Sequence, residues 1–89
     1  MNAIITVVGS DKVGIIARIS AFLAERNINI EDITQTVLSG NFVMMMMVDL
    51  SKGSKPLKMV KEELVQLGTS LNVSISLMHE QVFSAMHRI

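Results

Sequence analysis

The sequence predicts an α+β domain: a four-stranded antiparallel sheet with two helices on one face and a short C-terminal helix. Three observations predict it. Strand-like and helix-like segments follow one another in the order β-α-β-β-α-β. The first and third strand segments are apolar at nearly every position, whereas the second is mixed and the fourth alternates. In a split βαβ topology the first and third strands are central and the other two are edges, which matches that burial pattern.

Residues 3–8, Ala-Ile-Ile-Thr-Val-Val, are apolar on both faces except at Thr6, as suits a central strand covered on two sides. Gly9 and Ser10 break the run, and Asp11 reads as the N-cap of a helix over 12–26. Ile15, Ile16, Ile19, Phe22 and Leu23 recur at helical spacing there, with Arg18, Glu25 and Arg26 on the wet side. Asn27 reads as the helix stop, since Asn tolerates the left-handed conformation. Residues 29–38 alternate imperfectly and predict a bulged edge strand. Ser39-Gly40-Asn41 is a hairpin turn, and residues 42–50 form a third strand buried on both faces.

Ser51 to Lys55 is a loop, and Pro56 suits the first position of the second helix. Leu57, Val60, Leu64 and Leu67 make its apolar stripe, and Gly68 ends it at the C′ position. In the fourth strand Leu71, Val73, Ile75 and Leu77 face one way and Asn72, Ser74 and Ser76 the other. The order is the ferredoxin-like βαββαβ, in one domain over residues 1–79 with a helical extension over 80–89. In that extension Val82, Phe83, Met86 and Ile89 fall on one helical stripe, and so short a helix must dock to persist. The alternate Met side chains of 44–47 on the uncovered face also need a cover. The C-terminal helix, in cis or in trans, or a second subunit would supply it, so a homodimer is expected.

Composition narrows the function classes. At 89 residues the chain buries only roughly 60–65% of its unfolded surface, so stability is marginal or shared with a partner. Net charge is zero, which argues against an electrostatic grip on nucleic acid or anionic membrane. Trp and Tyr are absent, leaving few stacking platforms for bases. Without cysteine there is no disulfide, thiolate metal site or cysteine nucleophile. The N-terminus reads as a strand rather than a signal peptide, and no apolar run approaches a membrane span, so a soluble cytoplasmic protein is expected.

One arrangement looks equipped for a ligand. A strand is followed by Gly9-Ser10-Asp11-Lys12-Val13-Gly14-Ile15, a helix, and Asn29-Ile30-Glu31-Asp32-Ile33 opening the next strand. It resembles the ACT domain, a small-molecule sensing module of amino-acid metabolism, over residues 3–78. The most specific part is Asp11-x-x-Gly14-Ile15 with Asn29-Ile30-x-Asp32-Ile33. With Thr6-Val7-Val8-Gly9 and Gln35-Thr36-Val37 beside it, the chain looks most like the free-standing single-ACT-domain family (UPF0237-like), related to ACT domains of the glycine-cleavage-repressor type. The resemblance implies the fold and a dimer, and leaves the ligand open. It also implies an amino-acid site between subunits, with Ser10, Asp11, Lys12, Val13, Gly14 and Ile15 on one side and Asn29, Ile30 and Asp32 on the other.

The chemistry of those residue types suits such a ligand. Orphan N–H groups at a helix start accept a carboxylate, and Gly14 admits close approach. Asn29 offers both a donor and an acceptor, and Asp32 can take an ammonium. Each residue also has a local reading: Asp11 caps the helix, Gly14 permits packing, and Asn29 and Asp32 satisfy backbone groups at a strand start.

Other signals point away from chemistry. Alternate strand residues face opposite ways, so the Met run cannot converge on a soft metal and reads as adaptable core. His79 and His87 lack a partner set for a metal, and Lys55, Lys58 and Lys61 read as a solvated face diluted by Glu62 and Glu63. Residues 9–14 hold no arginine for an acylphosphatase, there is no Cys-x-x-Cys, and Phe42 is the one aromatic on the central strands. No cofactor is implied. The expected function is a non-catalytic regulatory module that binds an amino acid or similar metabolite. The alternative is a ligand-free module that docks another protein.

Overall fold

The computed structural model describes residues 2–10 and 14–86, except for the side chains of Phe83, Ser84 and Met86. Its elements are β1 (Asn2–Gly9), α1 (Ile15–Glu25), β2 (Asn29–Leu38), β3 (Asn41–Asp49), α2 (Leu57–Leu71), β4 (Ser74–His79) and α3 (Glu80–Met86). The strands form one antiparallel sheet in the order β2-β3-β1-β4, the ferredoxin-like arrangement with β1 and β3 inside.

The sheet side under α1 and α2 holds the core. Ala3, Ile5 and Val7 of β1 lie beside Phe42, Met44, Met46 and Val48 of β3 and Ile75 and Leu77 of β4. Ile15, Ile19, Phe22 and Leu23 of α1 and Val60 and Leu64 of α2 close over them. The opposite face is less well covered. Ile4 is buried there, α3 packs against β1 and β4, and Val43, Met45 and Met47 are half-buried. The third strand is therefore fully buried on one face only. Val82 is exposed rather than docked, and Phe83, Met86, His87 and Ile89 of the expected stripe and histidine pair lie outside the described side chains.

Several boundaries differ from the sequence reading, each for a local reason. α1 starts at Ile15, with Gly14 in the N-cap position and no side-chain cap, so the cap is not at Asp11. Asp11, Lys12 and Val13 lie outside the described residues. Pro56 sits one position earlier than expected, as an extended N-cap whose carbonyl accepts from the Met59 and Val60 N–H groups. Gly68 does not end α2. It lies inside the helix, where a Cβ would stand 2.8 Å from the Val73 carbonyl oxygen and 3.1 Å from Ile75 Cγ1. The lack of a side chain lets the last turn pack against β4. Asn72, at φ 62°, is the left-handed stop, so Leu71 belongs to α2 and β4 begins at Ser74.

The stop of α1 is as expected. Asn27 adopts φ 57°, and the Asn27 and Ile28 N–H groups donate to the Ala24 and Leu23 carbonyls. The hairpin turn places both Ser39 and Gly40 at positive φ, the twist that two-residue hairpins require. The bulge in β2 falls between Ile30 and Asp32.

Candidate functional site

The register places the two candidate segments at opposite ends of the sheet. Gly9 lies opposite Phe42, which lies opposite Val37. Asn2 lies opposite Asp49, which lies opposite Asn29. The length of β1 between these rows is roughly 23 Å at ~3.3 Å per residue. Ser10 and Gly14 therefore flank the loop at one end, while Asn29 and Ile30 stand at the other. One chain does not bring them together.

Gly14 is exposed at φ 74°, a conformation costly for residues with a Cβ, and among the described residues no atom beyond its chain neighbours lies within 4 Å of where a Cβ would stand. Its role within the chain is thus backbone conformation rather than close packing. The first turn of α1 holds no acidic residue, and among the described residues no side chain caps it. Ser10 is exposed. Ile15 is buried in the core, so only its backbone is available to a ligand.

The strand end divides its residues between faces. Asn29 is exposed, and Ile30 packs against the core. The bulge at Glu31 then shifts the alternation, so that Asp32 lies opposite Met47 and Ile4, on the face away from α1 and α2. The Asp32 carboxylate Oδ1 accepts the Ile33 N–H at 2.9 Å, the local backbone role open to it from sequence. A second group lies beside Asn29: Lys52 shares an open hollow of about 540 Å³ with Ala24, Asn27, Ile28 and Asn29. Sequence reading missed Lys52, which only the fold carries from the β3–α2 loop to the start of β2.

The other missed constellation is structural. Arg26 was expected on the wet side, and Lys55 and Glu63 on a solvated one. Instead Arg26 Nε and Nη2 donate to the two carboxylate oxygens of Glu63 at 3.0 and 3.2 Å, and Nη1 donates to the Phe22 carbonyl at 2.9 Å. The guanidinium stacks 3.6 Å from the Phe22 ring centroid, and Lys55 Nζ donates to Glu63 Oε2 at 2.9 Å. Hydrogen bonds from Arg26 and then Lys55 hold the Glu63 carboxyl down at about 2. The Ser51 N–H, donating to Asp49 Oδ1 at 2.9 Å, likewise holds the Asp49 carboxyl below its ordinary value. Among the described residues, no three His, Cys, Asp or Glu side chains are grouped to hold a metal ion, and no helix is long and apolar enough to cross a membrane.

A βαββαβ sheet with a glycine-led helix start and an open edge strand is the architecture of the ACT class of small domains. The ACT domain family model matches residues 2–78, and the chain belongs to that family. It is 48% identical to a UPF0237 protein of Listeria monocytogenes over 89 residues, covering 100% of both chains. It is 49% identical over 88 residues to a UPF0237 protein of Methanopyrus kandleri, covering 99% of this chain and 98% of the relative.

Among solved structures, an ACT domain protein from Streptococcus pneumoniae superposes with a TM-score of 0.83 at 44% identity, covering 98% of each chain. A proposed glycine cleavage system transcriptional repressor gives 0.76 at 25% identity, matching 85% of this chain and 44% of that one. The regulatory subunit of aspartate kinase from Thermus thermophilus, in its ligand-free form, gives 0.62 at 26%, matching 85% of this chain and 49% of that one.

Proposed function

We propose that this chain is a small, non-catalytic regulatory module that binds an amino acid or similar small metabolite between two copies of itself. The observation that carries the reading is the separation of the two candidate segments within one chain. β2 is a sheet edge, and residues 31–38 are all exposed. Antiparallel pairing of two β2 edges about a two-fold axis turns one sheet end for end. Asn29 and Ile30 of one copy then arrive at the end where the other copy holds Ser10 to Ile15. The ligand carboxylate meets the first turn of α1 beside Gly14, and Asn29 supplies a donor and an acceptor. Asp32 stands on the outer face of the strand and contributes only at the rim. The regulatory names of two neighbours, the proposed repressor and the aspartate kinase subunit, support this role.

A ligand that binds the native dimer raises its melting temperature, by the equivalent of ~2.7 kcal/mol at a hundredfold excess over Kd. A thermal-shift screen of the amino acids and related metabolites is the test. At least one compound is expected to raise the Tm of the full chain, and a flat response up to millimolar concentrations removes the sensor reading. The exposed Val37 and Leu38 at the tip of the β2–β3 hairpin favour a second reading, an assembly module that docks another protein without a ligand. Recovery of a stoichiometric protein partner together with a flat thermal screen selects it.

A further inference from the structure

We propose that the sheet face away from α1 and α2 carries a separate site for a small organic amine, with Asp32 as its anion. The site is a hollow of about 200 Å³ lined by Ile4, Asp32, Thr34, Met45, Met46 and Met47. Its walls are set by the strand register. Asp32, Met47 and Ile4 form one row across β2, β3 and β1, and Thr34 and Met45 begin the next. Met46 points its side chain into the core, so it supplies backbone to the floor. The β2 bulge decides the chemistry. Unbroken alternation from Ile30 would send Asp32 to the helix side, and the extra residue sends it to the Met47 side instead.

The result is a carboxylate at the lip of an apolar hollow. Among the described residues, Asp32 accepts one hydrogen bond, from the Ile33 N–H, and makes no ion pair. Among the described residues, none that lines the hollow carries positive charge. A cation is therefore the complementary ligand, and its second partner is the Thr34 hydroxyl. A bare metal ion has too few ligands among the described residues here, which offer a single carboxylate and a single hydroxyl. A free amino acid brings a second carboxylate that nothing in the lining offsets. The remaining class is a primary amine with an apolar body, which Ile4 and the adaptable thioether side chains of Met45 and Met47 bury. The volume corresponds to roughly seven water-sized groups at ~30 Å³ each, a length near that of hexylamine.

This site and the amino-acid site share only Asp32, because the amino-acid site uses the sheet end and this one the sheet face. The test is a titration of the full chain, labelled at its methionine methyl groups, with hexylamine and separately with 1-hexanol. Met45→Leu and Met47→Leu spectra assign the two methyl signals. The Met45 and Met47 methyls are expected to shift saturably with hexylamine. Binding should weaken roughly fivefold in Asp32→Asn, weaken again as salt is raised, and be weaker for hexanol throughout. Equal affinity for the alcohol, equal affinity in Asp32→Asn, or shifts confined to other methionines overturns the proposal. So does a pair of methyl signals that moves with protein dilution but not with amine, which would mark the face as a contact between copies. Asp32 is exposed, so Asp32→Asn should melt as the native chain does. Thr34→Val alters no residue of the amino-acid site and should also weaken hexylamine binding; an amino acid found by the thermal screen should still stabilise that variant, which separates failure of this site from failure of the other.

Discussion

At the scale of single residues, burial of charge is what the chain's pattern conceals. Arg26 follows the last turn of α1, where a helical wheel assigns it to solvent, yet its side chain is only 16% exposed and spans Phe22 and Glu63. Glu63 is held by two cations, and its carboxyl is lowered from 4.5 to about 2. A carboxyl depressed in the native state stabilises that state above the unfolded value, and the contribution is lost as pH falls toward the native one. Glu63→Gln should therefore be less stable than the native chain at pH 7, and the gap should close between pH 4.5 and about 2. Urea unfolding of both proteins across that range checks it. A gap independent of pH would mean that the side chain acts through packing alone. No spacing rule reveals this cluster, because Arg26, Lys55 and Glu63 meet only when α1, the β3–α2 loop and α2 are assembled.

At the scale of elements, the helix ends show how propensity yields to packing. Gly after an apolar stripe ordinarily marks a C-terminus, and on that rule Gly68 ends α2. The helix passes through it and stops at Asn72, because at Gly68 α2 comes close to Val73 and to Ile75 of β4. Ala is the better helix former by about 1 kcal/mol, so on propensity alone Gly68→Ala stabilises. With a Cβ 2.8 Å from the Val73 oxygen and 3.1 Å from Ile75, overpacking at a typical 1–3 kcal/mol should win. The variant is expected to lose about 1 kcal/mol or more in urea unfolding, and a gain would show that the last turn of α2 shifts freely. Asn27 and the Ser39-Gly40 turn behaved as their residue types dictate, since nothing packs closely enough there to override local backbone preference.

At the scale of the whole molecule, the sheet is closed on the helix side and open at its β2 edge. Val37 and Leu38 are 72% and 66% exposed on that edge, more than the other large apolar side chains among the described residues. Charged substitution at exposed positions costs little fold stability, usually within about 0.5 kcal/mol, but charge on an edge strand blocks pairing between chains. The Val37→Lys/Leu38→Lys double variant should thus keep its melting behaviour at high dilution and sediment as a monomer where the native chain sediments as a dimer. A native chain that is already monomeric at micromolar concentration would sink the edge-paired arrangement.

The sequence by itself determined the element order, the central places of β1 and β3, the β2 bulge, the stop at Asn27 and the resemblance that names the family. These follow from periodicity and from residues with strong backbone preferences, which act within a few positions of themselves. Tertiary structure decided what depends on distance in the chain: the Arg26–Glu63–Lys55 cluster, the passage of α2 through Gly68, and the face on which Asp32 stands. It also decided that Ser10 and Gly14 lie a strand's length from Asn29 and Ile30. That separation is invisible in a linear motif, because the motif joins by sequence what an antiparallel sheet holds at opposite ends.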